Sequence, residues 1–252
     1  MSIVENLLCA TVPLSETESA ELFFTDETSY DVFDKIWTGS TYPFGVLNNL
    51  VKANNKVIVD IGANVGGFSL FAARLWKGST VYAFEPGDRA FQCLYRNLAH
   101  APGARAYPFG LARGDHKLML HGSSFGSVCG SVCEVENHDP DTETIEIRDA
   151  ASSLAKLGIG KIDILKIDTE GCEVPILRSL EELLPKTGAI LLEYHKEDDR
   201  RTIDNMLAPT HYLCRAKVTS PHRGEFVYIS REIISGAVDN IRIDLPEALS
   251  AA

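Results

Sequence analysis

Residues 56–68, KVIVDIGANVGGF, join a short apolar run to a glycine-rich turn and then to a segment with helical spacing. The β-branched run is typical of a central parallel strand that is covered on both faces. The glycines let the backbone turn sharply and approach a bound group, and the free N–H groups of the next helix face the same point. Because open α/β sheets bind ligands in such a crevice, the stretch predicts the first strand of an α/β domain and its ligand loop.

The glycine spacing differs from that of dinucleotide-binding proteins. In the pattern G-x-G-x-x-G, Asn64 occupies the place of the second glycine, so the glycine that lets a pyrophosphate touch the backbone is absent. Read as acid-x-G-x-x-x-G, the same stretch gives Asp60, Gly62 and Gly66. This spacing fits a cofactor without a phosphate, such as S-adenosylmethionine, because the carboxylate can accept a hydrogen bond from an ammonium group. A tight turn without a ligand is the alternative.

A second predicted strand ends at Glu85 and Pro86. Proline stops the strand and leaves the carboxylate at its carboxyl end. Glu85 lies 25 positions after Asp60, close to the distance at which an acid meets a ribose diol. A third strand, predicted over residues 104–109, would bring Gly110 near the adenine.

Residues 162–173, IDILKIDTEGCE, form the second informative stretch. The apolar positions predict a buried fourth strand, with acids clustered at its carboxyl end. An unpaired charge near a core costs on the order of several kcal/mol, so packing alone does not explain these acids. Capping of the next helix, predicted over residues 174–184, is the structural alternative for one of them. The acids are Asp168, Glu170 and Glu173.

The fifth predicted strand, residues 188–192, is followed by Glu193 and His195. In such a sheet it must end beside the first and fourth strands. His195 is the candidate general base, since an unperturbed imidazole titrates close to working pH; a structural histidine is the alternative. Asp168, Glu193 and His195 also offer oxygen and nitrogen ligands, so activation of the acceptor by a divalent ion is a second option.

The two ends of the chain show other patterns. Residues 1–55 carry several aromatic side chains, which predict a packed segment, either a helical cap over one edge of the sheet or a lid over the active site. Two strands over residues 212–218 and 225–230 predict an antiparallel hairpin at the sheet edge. We therefore expect residues 1–55 to be the cap or lid, 56–235 the cofactor-binding domain and 236–252 a tail.

Composition narrows the class of protein. The chain has 252 residues, of which 45% are hydrophobic, and a net charge of -11. This length suits one α/β domain, and the charge would repel a phosphate backbone, so we expect no nucleic acid partner. The N-terminus has no basic leader region, and no apolar run reaches the ~20 residues of a membrane span. We expect a cytoplasmic protein without a membrane partner, whose scattered cysteines are free thiols rather than zinc ligands.

Four segments, in the same order, resemble the FkbM-type S-adenosylmethionine-dependent methyltransferases: VIVDIGANVGGFSLFAA, VYAFEPGDRAFQCLYRNL, IDILKIDTEGCEVPILRSL and ILLEYH. The resemblance implies a Rossmann-like class I methyltransferase sheet, mostly parallel, and methylation of hydroxyl groups on sugars and other natural products. It also implies that Asp168 lies beside the substrate and the amino-acid end of the cofactor, and that the terminal segments recognise the substrate. The other residues it places around the cofactor are Asp60, Gly62, Asn64, Gly66 and Glu85.

The main prediction is O-methylation of a small-molecule or glycan-like substrate, with His195 as base, steered by Asp168 and Glu170, and with no metal assigned. Metal-assisted O-methylation and N-methylation are the alternatives. A nicotinamide oxidoreductase would share the sheet and the ribose acid, but Asn64 replaces the glycine that its pyrophosphate needs. A non-catalytic binding module would retain the cofactor acids, but the acids after the fourth strand count against it. A homodimer is left open.

Overall fold

The computed structural model describes residues 2–121 and 142–238. The strands are β1 (Ser2–Val4), β2 (Leu7–Pro13), β3 (Ser19–Phe24), β4 (Val57–Ile61), β5 (Thr80–Phe84), β6 (Ala104–Tyr107), β7 (Gly110–Ala112), β8 (His116–His121), β9 (Thr142–Asp149), β10 (Ile162–Ile167), β11 (Thr187–Tyr194), β12 (His211–Ser220) and β13 (Arg223–Ser230). The α-helices are α1 (Glu27–Trp37), α2 (Phe44–Leu50), α3 (Gly67–Leu75), α4 (Asp88–Asn97), α5 (Ala150–Lys156), α6 (Glu173–Ser179), α7 (Glu197–Leu207) and α8 (Arg231–Val238).

A seven-stranded sheet forms the centre of the fold, in the order β12-β13-β11-β10-β4-β5-β6. The strands from β11 to β6 run parallel, and β13 is antiparallel to both β11 and β12. Their sequences explain this arrangement, because the apolar runs of β4 and β10 are buried on both faces. The predicted mostly parallel sheet with an antiparallel hairpin at its C-terminal edge is confirmed.

The two faces of the sheet bury different cores. Along β4, Ile58 packs into one core and Val59 into the other, as the two-residue period of a strand requires. The first core holds apolar side chains of the N-terminal sheet and of α1 to α4, and the second holds those of α5 to α7. Asp60 and Lys166 follow the two-residue period of Ile58 and Ile164, so they face the core that the N-terminal segment covers.

The N-terminal segment is helical only in its second part. β1, β2 and β3 form an antiparallel sheet, and α1 and α2 follow it. In β3 the alternate residues Ala20, Leu22 and Phe24 are buried, which is the period of a strand rather than of a helix. The expectation of a purely helical cap is corrected, because the aromatic content that motivated it carries no information about period.

Several local predictions also meet the structure. Strands β8 and β9 join β7 in a separate three-stranded sheet. The helix predicted over residues 174–184 is shorter in the structure, where it begins at Glu173 and ends at Ser179. In the predicted tail, α8 continues through Val238, and residues 239–252 lie outside the described part of the chain.

Gly62 marks the point where the turn after β4 meets the end of β10. Its φ is +78°, and a Cβ atom built there would lie 1.9 Å from the carbonyl oxygen of Asp168. The obstacle is backbone, so no side-chain rotation can relieve it. Only glycine therefore allows these two loops to approach each other so closely.

We expect Gly62→Ala to lower the free energy of unfolding by roughly 2 to 4 kcal/mol, since it adds overlap to the cost of a left-handed backbone. Gly39→Ala is the matched control, because Gly39 has φ +74° but nothing within 4 Å of a built Cβ. That variant should lose only about 1 to 2 kcal/mol. Urea titration of both variants measures the difference, and equal losses would show that the close approach is without energetic consequence.

Candidate active site

The glycine turn and the acid after β5 are joined directly. The buried carboxylate of Glu85 accepts hydrogen bonds from the backbone N–H of Asn64 at 2.8 Å and of Gly87 at 2.9 Å. Burial raises the pKa of Glu85 to about 7, although both hydrogen bonds oppose the shift. Asn64 itself has φ +49°. The carboxylate thus fixes the turn at the place where the sequence predicts a ribose.

A buried ion pair lies beneath the turn. Lys166 Nζ is 3.1 Å from Asp60 Oδ1 and 3.8 Å from Asp168 Oδ2, and it donates to the carbonyl oxygen of Gly62 at 2.5 Å. The hydroxyl of Ser69 donates to Asp60 Oδ2 at 2.6 Å. Burial disfavours the charged form of Lys166, but its acidic neighbours, Asp60 foremost and then Asp168, together outweigh burial and raise the lysine pKa. Asp60 therefore has partners within the protein, and its contact with a cofactor ammonium stays a prediction.

His195 lies directly after β11, between two of the acids that follow β10. Its Nδ1 is 3.0 Å from Glu173 Oε1, and its Nε2 is 3.1 Å from Glu170 Oε2. Burial lowers the pKa of His195, but the hydrogen bond and charge of Glu173 and the charge of Glu170 outweigh it, so the pKa is raised. The structure thus brings together the predicted base and the acid cluster.

Glu173 is the first residue of α6, and no side chain in the described part of the chain caps this helix, so the capping alternative is wrong for it. It is fully buried, and its Oε1 accepts from the backbone N–H of Gly171 at 3.0 Å and of Thr169 at 3.3 Å. The same oxygen lies beside the ring of His195. The carboxylate thus shapes the loop before α6 and orients the imidazole.

Arg223, which lies between the two predicted strands of the C-terminal hairpin, also reaches the site. Its Nε is 2.8 Å from Glu193 Oε1, its Nη2 is 2.7 Å from His195 Nε2, and it pairs with Glu170. The antiparallel register of β13 on β11, in which Gly224 lies opposite Tyr194, brings Arg223 there. No local pattern in the sequence indicates this contact, because it depends on which strands become neighbours.

The suggested metal ligands also meet. One ligand atom from each of Asp168, Glu193 and His195 lies within 4.8 Å of the others. Burial and the charge of Asp168 raise the pKa of Glu193, whereas Arg223 lowers it. Because Arg223 contacts both Glu193 and His195, a guanidinium group already supplies positive charge at this cluster.

The N-terminal segment reaches the same site through Tyr42. Its ring packs edge-on against Phe68 of α3, with 5.2 Å between the ring centroids. Burial raises the pKa of Tyr42, the charges of Asp168 and Asp60 add to this, and Lys166 opposes it. The phenol of Tyr42 is therefore neutral, and the charges of the buried ion pair act on it. The role of the segment as a lid stays a prediction.

Pro86 and Gly110 lie together on the other side of Glu85. A Cβ atom built on Gly110 would be 3.3 Å from Pro86 Cγ and 2.6 Å from Ile147 Cδ1. A groove of about 470 Å³ opens beside them. Its lining residues are Pro86, Asp88, Arg89, Phe91, Pro108, Glu143, Thr144, Ile145 and Glu146.

The sheet order, the glycine turn after β4 and the acids after β5 and β10 define a Rossmann-like class I methyltransferase. Residues 60–216 match the family model described as the methyltransferase FkbM domain. The chain belongs to this family, and the family implies S-adenosylmethionine as methyl donor. No helix in the described residues has the length and apolar character needed to cross a membrane.

Three curated relatives illustrate the similarity. The chain is 30% identical to the 31-O-demethyl-FK506 methyltransferase FkbM of Streptomyces tacrolimicus, over 56% of this chain and 66% of that protein. It is 29% identical to Methyltransferase 1 of Beauveria bassiana, over 51% of this chain and 60% of the relative. It is 23% identical to the hexuronic acid methyltransferase AglP of Haloferax volcanii, over 70% of this chain and 71% of that protein. The chain thus spans less than two thirds of the length of the first two.

We expect Lys166→Met to destabilise the protein by about 3 to 5 kcal/mol, because it leaves the buried carboxylate of Asp60 without its cation. The double variant Asp60→Asn/Lys166→Met removes both charges and should recover part of the loss. As a control, Lys161→Met should change stability by less than about 1 kcal/mol, since the Lys161 side chain is 69% exposed in its ion pair with Asp163. Thermal and urea unfolding at pH 7 would measure this, and a double variant less stable than Lys166→Met would contradict it.

Proposed function

We propose that this methyltransferase transfers the methyl group of S-adenosylmethionine to a hydroxyl group on a small molecule, a sugar or a natural-product intermediate. The observation that carries the proposal is the position of His195, whose ring is held by Glu173 and Glu170 beside Asp168. A hydroxyl is a weak nucleophile, so its methylation needs a base at the acceptor. The names of two relatives, a 2-O-methyltransferase and a 31-O-demethyl-FK506 methyltransferase, support oxygen as the acceptor atom.

The residues around the glycine turn fit the cofactor. The backbone is left-handed at Gly62, Asn64 and Gly66, and the absence of a side chain at Gly62 lets the turn lie directly against the backbone of Asp168. Glu85 would hold the ribose hydroxyls from the end of β5, and Asp168, whose side chain is 30% exposed, would receive the ammonium group. Asp60 then acts from beneath through Lys166. The bound cofactor supplies an electrophilic methyl group on a sulfonium, and the protein aligns it with the acceptor.

His195 would take the acceptor proton at Nε2. Glu173 accepts at Nδ1, so this nitrogen carries the hydrogen and leaves the lone pair of the neutral ring on Nε2. Glu170 lies 3.1 Å from Nε2 and stabilises the imidazolium that forms. Arg223 Nη2 lies 2.7 Å from the same nitrogen, so the acceptor hydroxyl would take the place of the guanidinium.

Metal-assisted O-methylation is the second candidate, favoured by the convergence of Asp168, Glu193 and His195. A divalent ion there would lower the pKa of a bound hydroxyl. Chelator treatment separates the two versions. In the metal version activity disappears and returns with added divalent ion, whereas the histidine version is unaffected.

We expect Glu85→Ala to weaken S-adenosylmethionine binding tenfold or more, as the loss of charge-assisted hydrogen bonds worth about 1.5 to 3 kcal/mol would. Because burial raises the pKa of Glu85 to about 7, its carboxylate protonates as the pH falls from 8 to 6, and wild-type affinity should fall with it. The matched variant Glu85→Gln cannot titrate and should lose this dependence. Calorimetric titration across this range measures both effects, and unchanged affinity in Glu85→Ala would remove the residue from the site.

We expect His195→Ala to lower kcat by roughly 10²- to 10⁴-fold without changing cofactor affinity, since a positioned base contributes on that scale. The exposed His116 provides the control variant His116→Ala, which should keep full activity. The base acts only when neutral, and the raised pKa of His195 means that the wild-type rate should begin to fall above pH 6.5 as the solution is acidified.

If His195→Ala keeps its turnover and a chelator has no effect, both versions of base activation are wrong. Methylation of a more nucleophilic nitrogen, or alignment alone, would then explain the reaction better.

A further inference from the structure

One buried amide joins the N-terminal sheet to the cofactor turn. Asn97, the last residue of α4, is fully buried. Its Nδ2 donates to the carbonyl oxygens of Phe23 and Val65, and its Oδ1 accepts from the backbone N–H of Phe23, all at 2.8 Å. Both amide hydrogens and the carbonyl oxygen of this side chain are therefore engaged.

The partners of Asn97 explain its position. Phe23 lies on β3, at the edge of the three-stranded sheet, where backbone groups without a neighbouring strand need another partner. Val65 lies within the glycine turn, between Asn64, whose N–H binds Glu85, and Gly66. A donor that fixes the Val65 carbonyl also fixes the peptide plane leading into Gly66, and with it the direction of the N–H groups of the turn.

Helix α1 packs on the same turn. A Cβ atom built on Gly67 would lie 3.2 Å from side-chain atoms of both Phe33 and Ile36. The ring of Phe33 also packs against Phe24 of β3, with 5.4 Å between the centroids. β3 ends at Phe24 and α1 begins at Glu27, and the capping box at Asp26 fixes the start of the helix, so the sheet is closely joined to a helix that packs on the turn.

We infer that Asn97 is a positioning residue for the cofactor turn, and that docking of the N-terminal sheet and binding of S-adenosylmethionine are thermodynamically linked through it. The inference rests on the proposed function only in placing the cofactor at this turn. Linkage is reciprocal, so the cofactor stabilises the docked sheet to the extent that the docked sheet strengthens cofactor binding. A merely structural asparagine would lower stability without creating this dependence.

The test combines a substitution with hydrogen exchange. Asn97→Asp keeps an acceptor for Phe23 N–H but turns a carboxylate toward two carbonyl oxygens. Asn48→Asp is the surface control, because the exposed Asn48 uses its Oδ1 to accept from Trp76 Nε1 at 3.0 Å, which a carboxylate can also do. Calorimetry gives the affinity for S-adenosylmethionine and S-adenosylhomocysteine, and mass spectrometry follows exchange in peptides that cover β3.

In the wild type and in Asn48→Asp, either compound should slow exchange in β3. Asn97→Asp should bind both at least tenfold more weakly and show no such protection. Wild-type affinity in Asn97→Asp, or protection of β3 that persists in it, would overturn the inference. The wild-type exchange experiment decides even if the variant fails to fold, since a cofactor that binds without protecting β3 leaves no linkage. A wild-type chain that binds neither compound would overturn the proposed cofactor site as well, which separates the two failures.

Discussion

The rest of the site depends on the ion pair between the ammonium group of Lys166 and the carboxylate of Asp60. Lys166 is 4% exposed and lies on a central strand, directly opposite Asp60 in the parallel register of β4 and β10. A charge in such a place is stable only when its partners are complete. The partners of Lys166 are the carboxylate of Asp60 on the neighbouring strand, the carbonyl oxygen of Gly62, and the carboxylate of Asp168, which directly follows β10. One cation therefore holds the glycine turn and Asp168 at fixed positions.

Much of this arrangement could be predicted from local sequence. The strand around Asp60, the glycine turn and the acids after the second and fourth parallel strands follow from apolar runs that end in glycine, proline or a charge. Lys166 was open to the same reasoning, because a lysine in the middle of the buried run IDILKI needs a partner. The sequence predicts that His195 lies near Glu173 and Glu170, but not which atoms are in contact, because distances depend on packing.

Other features could not be predicted because they arise from tertiary pairing. Arg223 reaches His195 through the register of two antiparallel strands that are far apart in the sequence. The aromatic content of residues 1–55 does not predict the N-terminal sheet, because a strand is indicated by the alternation of its buried and exposed residues. Tyr42 and Arg223 both lie outside residues 60–216, which match the family, so chain beyond that region completes the surroundings of the acids.

The position of β13 between β11 and β12 has a consequence for synthesis on the ribosome. Among the strands of this sheet β13 comes last in the chain, so β11 emerges before it with an unpaired edge. Until residues 223–230 are available, the nascent domain presents hydrogen-bonding groups to any other extended chain nearby. Arg223 is the first residue of the strand that covers this edge, so the charge arrangement around His195 becomes complete in the same step that pairs the edge of β11.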